Sequence, residues 1–410
     1  MQGLVSVMIP CFNGESFVSK LFDSFLEQTY SKIHLILVDD GSTDNTREVV
    51  FSYVERFKKV GIELEYIWQE NSGVSVAINT ALKCVKGEFC MWIDSDDYVT
   101  PDHVERKVNA LVENSKAAIV RCQGTCVGED GNFLGLLGNE ESVGTFYEDV
   151  MLGFKACTPG LYMVRTRVLL DSLVERSIYP HRQGQNLQLL GAVTYNKEIV
   201  CIQDRLFYYV VRKESSCHKI WDANKWKTYM DGVEDISFNT IGRMQKKMSP
   251  EYYHKFSEWI RLKSAITRME GFYSYGIGEL DTEYVEGVLV RWLGKDLEKD
   301  AREKYIWGAD LKGKAVGDLL EKVFGIKISG YVDSNYAKIE GAQSPDVLNV
   351  QEHYVIVPLW VHQDILTKLE QKGYASKDFT YPCATLINDI LNYNKCRKIV
   401  LSDMDKGGIK

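Results

Sequence analysis

The chain has 410 residues, 45% of them hydrophobic and 26% charged, with a formal net charge of -8. This is an ordinary globular composition with length for two or three domains. The acidic balance argues against a nucleic-acid protein, because phosphate binding needs a basic footprint, and no nucleic-acid module is visible.

The opening "LVSVMIP" has no basic flank, and no apolar run nears the roughly 18 residues of a membrane span. A cytoplasmic protein without an export signal or spanning segment is expected. The ten cysteines, among them Cys84, Cys90, Cys122 and Cys201, are scattered rather than densely spaced, as buried thiols in a reducing compartment would be. Cys122 and Cys126 lack the second pair that would complete a zinc site.

Leu4 to Ile9 is an apolar run ended by Pro10, and "IHLILVDD" is a second; Phe17, Leu21, Phe22, Phe25 and Leu26 between them recur at helical spacing. "DGSTDN" supplies turn and cap residues for a helix through Val50, Tyr53 and Phe57 that Gly61 stops. "ELEYIWQE" then reads as a strand, "GVSVAINTALKCV" as a helix and "EFCMWID" as a strand. The alternation predicts an α/β fold with a mostly parallel sheet, whose ligand lies at the carboxyl ends of its strands. Polar clusters fall at those ends: Pro10 to Glu15, Asp39 to Ser42, Asn71 to Gly73 and Asp94 to Asp97.

Three acids directly after a buried strand repel one another unless a cation or donors offset them. Asp94 and Asp96 are two apart and share a face in extended backbone. A hard cation, Mn²⁺ or Mg²⁺, takes one or two carboxylates and completes its shell with diphosphate oxygens and water. The plainer reading is a helix cap near Pro101 or a turn.

"VSVMIPCFN", "LILVDDGSTDNT", "QENSGVSVAINTALKCVKGEF" and "WIDSDDYVTPDHV" resemble the N-terminal half of the family 2 glycosyltransferases. The resemblance covers roughly the first 215 residues and implies a GT-A nucleotide-sugar-binding domain at 1–218. It also implies sugar transfer from a nucleotide diphosphate donor, such as a UDP-sugar, with inversion and a divalent cation. The acceptor would be a glycan or a lipid-linked glycan in bacterial-type surface polysaccharide synthesis. Pro10, Phe12, Asn13 and Glu15 match the first nucleotide-contacting loop, Asp39 the acid that contacts base or ribose, and Asn71 and Gly73 the loop beside the base. Asp94, Ser95 and Asp96 match the DxD motif, with Asp96 as the metal ligand and Asp94 toward the ribose.

Two positions depart from the family's pattern. Ile78 replaces a common Arg, so a phosphate- or base-directed charge is missing. Where many relatives carry an acidic pair whose Asp deprotonates the acceptor, "HRQGQNLQLLGAV" has Gln185 and Asn186, amides that cannot act as bases. Asn186 is then expected to position the acceptor, and His181 is the nearest titratable substitute; Asp204, read as a loop residue, is another. Downstream, "LFYYVVRKESSCHK" resembles the family's last strand, with Arg212 or Lys213 facing the diphosphate. Ile78 together with Gln185 and Asn186 favours an alternative, a non-catalytic nucleotide-sugar-binding scaffold.

Residues 219–303 read as a helical segment. Tyr252, Tyr253, Phe256, Trp259, Ile260, Ile266, Met269 and Tyr273 form a stripe among Lys255, Arg261, Lys263 and Arg268. Such a face rests on an anionic membrane or, more commonly, packs against a neighbouring domain or subunit, as in a homo-oligomer. Residues 304–390, from "KYIWGADLKGKAVGDLLEKVFGIKISGYVDSN", are similar to the Rossmann-like domains of sugar-modifying enzymes. Gly308, Gly313 and Asp333 fit, but Asp310 stands where glycine admits a phosphate. Residues 391–410 read as a solvated tail.

Overall fold

Short apolar strands alternate with amphipathic helices through the first third of the chain: Val5–Cys11 (β1), Val18–Leu26 (α1), Ile33–Asp39 (β2), Thr46–Lys59 (α2), Glu63–Trp68 (β3), Val74–Cys84 (α3) and Phe89–Trp92 (β4). The computed structural model describes residues 2–138, 142, 144–212, 223–275, 297, 299–357, 363–375, 377–380, 386, 390–391 and 393–394. The chain divides into two compact units, Met1–Lys219 with Asp235–Tyr253, and Ile220–Glu234 with His254–Lys410.

In the first unit, β3, β2, β1 and β4 pair in parallel in that order. Both faces of β1 and β2 are covered, so the strands are apolar almost throughout: Val5, Val7, Leu35, Ile36 and Val38 are fully buried. Each such side chain contributes roughly 1.5–3 kcal/mol relative to an exposed one.

The sheet then becomes mixed. Beyond β4 lie Tyr162–Arg165 (β8, antiparallel), Ile119–Gly128 (β6) and Ile199–Val211 (β9), with Tyr98–Val99 (β5) at the end and Phe133–Leu137 (β7) paired to β6. Helices His103–Glu113 (α4), Phe146–Met151 (α5), Thr166–Ser172 (α6) and Gln185–Thr194 (α7) connect these strands. Asp204 lies inside β9 rather than in a loop, because the polar run "QDR" falls on a half-exposed stretch of the strand where exposed and partly buried residues alternate. Its carboxylate pairs with Arg106 at 2.5 Å.

Helices Ala223–Met244 (α8) and Pro250–Tyr275 (α9) carry residues of both units. Tyr252, Phe256, Trp259, Ile260 and Ile266 of the aromatic stripe are buried; the side chains of Met269 and Tyr273 lie outside the described residues. Among the described residues no helix is long and apolar enough to cross a membrane.

The second unit contains a parallel sheet in the order β11-β10-β12-β13, formed by Ile328–Val332 (β11), Glu303–Trp307 (β10), His353–Ile356 (β12) and Phe379–Thr380 (β13). Leu311–Phe324 (α10) follows β10, and Gln363–Gln371 (α11) follows β12. Trp307, Val332, Val355, Leu369 and Tyr374 form its core.

Candidate functional site

Strand register sets the geometry of the site. Cys11 pairs with Asp39 and Asp39 with Trp68, while Met8 pairs with Trp92, so the loops after β1, β2, β3 and β4 leave the sheet along one row. Pro10 is half-buried on that row, and Phe12 beyond it is 48% exposed, a free aromatic face at the rim.

The first two loops are laced together. Asn13, in the left-handed region at φ 52°, accepts from the Thr43 N–H through Oδ1 at 2.8 Å and donates its own N–H to Ser42 Oγ at 2.9 Å. Both Glu15 carboxylate oxygens accept from Asn45, from its backbone N–H at 3.1 Å and its Nδ2 at 2.8 Å. These side chains fix the loops against each other. Asp39 is also engaged: Oδ1 accepts from the Ser42 N–H at 2.8 Å and Oδ2 from the Tyr66 hydroxyl at 2.6 Å.

The residue beside it, Asp40, was not singled out from the sequence, yet it organises the third loop. Its buried carboxylate accepts from Gln69 Nε2 at 2.7 Å, the Ser72 N–H at 2.9 Å and the Gly73 N–H at 2.8 Å. Two glycines allow the close approach. A Cβ on Gly41, at φ +79°, would lie 2.7 Å from the Asn71 nitrogen; one on Gly73, at φ +93°, would lie 3.2 Å from Arg182 Cα. Asn71 itself is exposed.

Ser95 is buried and bonds the Cys11 thiol, which burial pushes up to about 12, so the thiol is inert. Asp94 and Asp96 are partly exposed and Asp97 is fully buried. Burial first, and then Asp96, push the Asp94 carboxyl up to about 7 against the pull of Arg212. Burial and both neighbouring carboxylates push Asp97 up as well; its Oδ1 accepts from the Val210 N–H at 2.9 Å, while Oδ2 has no hydrogen-bond partner among the described residues. Arg212 Nε lies 2.7 Å from Asp96 Oδ2, and the guanidinium stacks 4.4 Å from the centre of the Phe17 ring. The N–H is not aimed at the oxygen, so the Asp96 contact is charge to charge rather than a hydrogen bond. Lys213 lies outside the described residues.

Three carboxylates therefore share one guanidinium, an excess of negative charge that a divalent cation would relieve. An all-oxygen donor set suits Mn²⁺ or Mg²⁺.

α7 begins at Gln185 behind Gly184, which is left-handed at φ 75°. Asn186 Oδ1 accepts from the indole N–H of Trp92 at 2.9 Å, two residues before Asp94. The stretch leading to His181 is held by two amides that mimic strand pairing. Asn79 exchanges bonds of 2.9 and 2.8 Å with the backbone of Ile178, and Gln188 bonds of 2.7 and 3.0 Å with that of Tyr179. His181 packs on the Tyr179 ring, and its Nδ1 accepts from the Gln183 N–H at 3.3 Å. The neutral ring's proton is thereby placed on Nε2, which then donates rather than accepts. Ile78 is buried in the core, so its side chain points away from the loops.

The sequence profile of the family described as "Glycosyl transferase family 2" matches residues 6–161, which contain all four strand-end loops. Those residues are a family 2 glycosyltransferase domain. An uncharacterized glycosyltransferase of Rickettsia typhi is 38% identical over 120 residues, 29% of this chain and 36% of that protein. Glycosyltransferase GlyA of Streptococcus pneumoniae is 37% identical over 109 residues, 27% of this chain and 15% of its own length. The chain thus spans only about a third or less of these relatives. Among solved structures, S. aureus TarS 1-349 in complex with UDP-GlcNAc superposes with a TM-score of 0.51 at 17% identity, covering 70% of this chain and 80% of that one. The likeness is one of fold, the GT-A glycosyltransferase architecture.

In the second unit, Asp310 Oδ1 accepts from the Gly313 N–H at 3.1 Å and so caps α10. Asp333 accepts from the N–H groups of Ala309 and Asn335. A carboxylate sits at the helix start where a pyrophosphate would approach.

Proposed function

We propose that the chain is an inverting glycosyltransferase that moves a hexosyl or N-acetylhexosaminyl group from a nucleotide diphosphate donor to a glycan or lipid-linked acceptor in surface polysaccharide synthesis. The observation that carries this reading is the crowding of Asp94, Asp96 and Asp97 at the end of β4, in line with three other strand-end loops. The TarS complex, alike in fold, makes a UDP-sugar the first donor to test.

In this reading Phe12 stacks on the base and the Asn71–Gly73 loop, shaped by Asp40, closes beside it. Asp94 meets the ribose and Asp96 holds the cation, which when bound neutralises the leaving diphosphate. Arg212, whose Nε lies 2.7 Å from Asp96 Oδ2, would face the diphosphate oxygens with a cation on Asp96. Asn186, anchored on Trp92, orients the acceptor hydroxyl. The C-terminal Rossmann-like unit serves a structural or interaction role, since Asp310 repels a phosphate.

A non-catalytic nucleotide-sugar binder is the second reading, favoured by Asn186 in the place of an acid and by the donating Nε2 of His181. Incubation with UDP-sugars and Mn²⁺ separates the two: release of nucleoside diphosphate, lost in Asp96→Ala, supports the enzyme. Donor binding without release supports the scaffold, and release that persists in Asp96→Ala overturns the metal-ligand assignment.

A further inference from the structure

Asp39, which the resemblance sets against the base or ribose, is closed in by the chain itself. It is 1% exposed, with Oδ1 taken by the Ser42 N–H and Oδ2 by the Tyr66 hydroxyl. Tyr66 is the more open member of the pair, only half-buried. On β3 it pairs in register with Leu37, two residues before Asp39, so its side chain and the carboxylate lie on the same face of the sheet. The ring packs on Phe51 of α2, with centroids 5.2 Å apart and planes at 52°, and the Arg47 guanidinium lies 5.5 Å from the centre of the Phe51 ring. Trp68, next on that face and the register partner of Asp39, is 60% exposed, so this face opens to solvent at the row where the loops converge.

The bond to Asp39 decides what the phenol can do. Its one proton goes to the carboxylate at 2.6 Å, which leaves the hydroxyl oxygen with acceptor lone pairs only. The charge behind it strengthens that oxygen as an acceptor, because hydrogen bonds in a chain polarise one another. Burial first, and then the bond to Asp39, raise the Tyr66 pKa above its ordinary value, so the hydroxyl keeps its proton through the neutral range.

We propose that the Tyr66 hydroxyl oxygen, backed by Asp39, is a specificity-determining acceptor of the nucleotide site and receives an N–H of the base or a hydroxyl of the ribose. The inference rests on the donor-site reading above. Tyr66 touches the nucleotide and Asp39 acts through it, the reverse of the division that the resemblance implies. A group without a proton to give is rejected at this point, since its lone pair would face those of the phenol oxygen.

The test titrates the full-length chain with UDP and Mn²⁺ by calorimetry, beside Tyr66→Phe, Asp39→Asn and the double variant, each checked by a thermal melt. Tyr66→Phe is expected to weaken UDP about tenfold, the worth of one charge-assisted hydrogen bond. Asp39→Asn, whose amide oxygen can still take the Tyr66 proton, weakens it by about threefold or less and adds nothing in the Tyr66→Phe background. N3-methyl-UDP and 2′-deoxy-UDP locate the contact: whichever lacks the donated group binds the wild type and Tyr66→Phe equally. Unaltered UDP affinity in folded Tyr66→Phe, a larger loss in Asp39→Asn than in Tyr66→Phe, or an equal loss for all three nucleotides overturns the inference and leaves the donor-site reading standing. If Tyr66→Phe does not fold, Asp39→Asn decides alone, and a loss of about tenfold or more there shows that the carboxylate itself meets the nucleotide. Folded wild-type protein that binds no UDP overturns the donor-site reading and this inference with it.

Discussion

Arg212 Nε lies 2.7 Å from Asp96 Oδ2, so the expected metal ligand is already held by a cation of the chain itself. In the proposed reading a metal at Asp96 would compete with that guanidinium, which also rests on Phe17. Arg212→Ala is expected to tighten Mn²⁺ binding while lowering donor turnover by roughly ten- to a hundredfold, the worth of one charge-assisted contact. Calorimetry and nucleotide-release assays would show the opposite signs; a parallel loss of metal affinity and turnover contradicts the exchange.

Asp94 gives a pH signature. Its carboxyl is pushed up to about 7 in the folded protein, by burial and by Asp96, so the folded state keeps a proton that the unfolded chain loses above about pH 4. This group's contribution to stability is present at low pH and is lost as pH rises from about 4 to 7. In metal-free protein, the drop in urea midpoint between about pH 5 and 7.5 should therefore be smaller for Asp94→Asn than for the wild type. An identical pH dependence in both proteins counts against the raised carboxyl.

Asp40→Ala strands the N–H groups of Ser72 and Gly73 and the amide of Gln69. We expect a stability loss of about 3 kcal/mol, less than the sum of three separate bonds because the loop can partly rehydrate. Donor affinity should fall by tenfold or more, since the third loop loses its shape. Denaturant melts and donor titrations check both; wild-type donor affinity would show that the loop keeps its form without Asp40.

Asn186→Asp separates the enzymatic readings. A carboxylate can still accept the Trp92 indole N–H, so the fold should be preserved, while a base is supplied at the start of α7. Acceptor-dependent transfer is expected to rise at least tenfold, with donor binding unchanged. A fall in transfer would instead show that the amide's donors are needed by the acceptor.

Lys107 is wholly buried, with Nζ 3.0 Å from His103 Nε2 and donating to the Gly160 carbonyl, while His103 Nδ1 donates to the Leu206 carbonyl at 2.8 Å. Burial lowers its pKa to about 8. Lys107→Met removes the donor for two buried acceptors and should cost about 3 kcal/mol. A thermal melt within a degree of wild type would show that those acceptors find other partners.

The repeating βα units were legible in the sequence because their signals are local: apolar runs, helical spacing and turn residues at the strand ends. Asp94 to Asp97 stood out for the same reason, as charge against an apolar strand. Asp40 did not, because in "VDDGS" nothing distinguishes it from Asp39; only the fold directs its carboxylate at residues 69–73. Ile78 was read as a lost charge, but the helix phase that buries it depends on packing against β1 and β2. Asp204 reads locally as a loop residue because "QDR" is a polar run on a half-exposed strand, and the bonds of Asn79 to Ile178 join residues 99 apart, beyond any local pattern.

The amide pair Asn79 and Gln188 holds the backbone at 178 and 179 from two sides, and the left-handed Gly184 opens α7 just beyond. Residues 180–183 thus run between two fixed points, one held by the side-chain amides of Asn79 and Gln188 and the other set by the backbone of Gly184. A substitution within this stretch is therefore expected to leave the sheet, the carboxylates and the helix behind it in register, except at Arg182, whose backbone lies against Gly73.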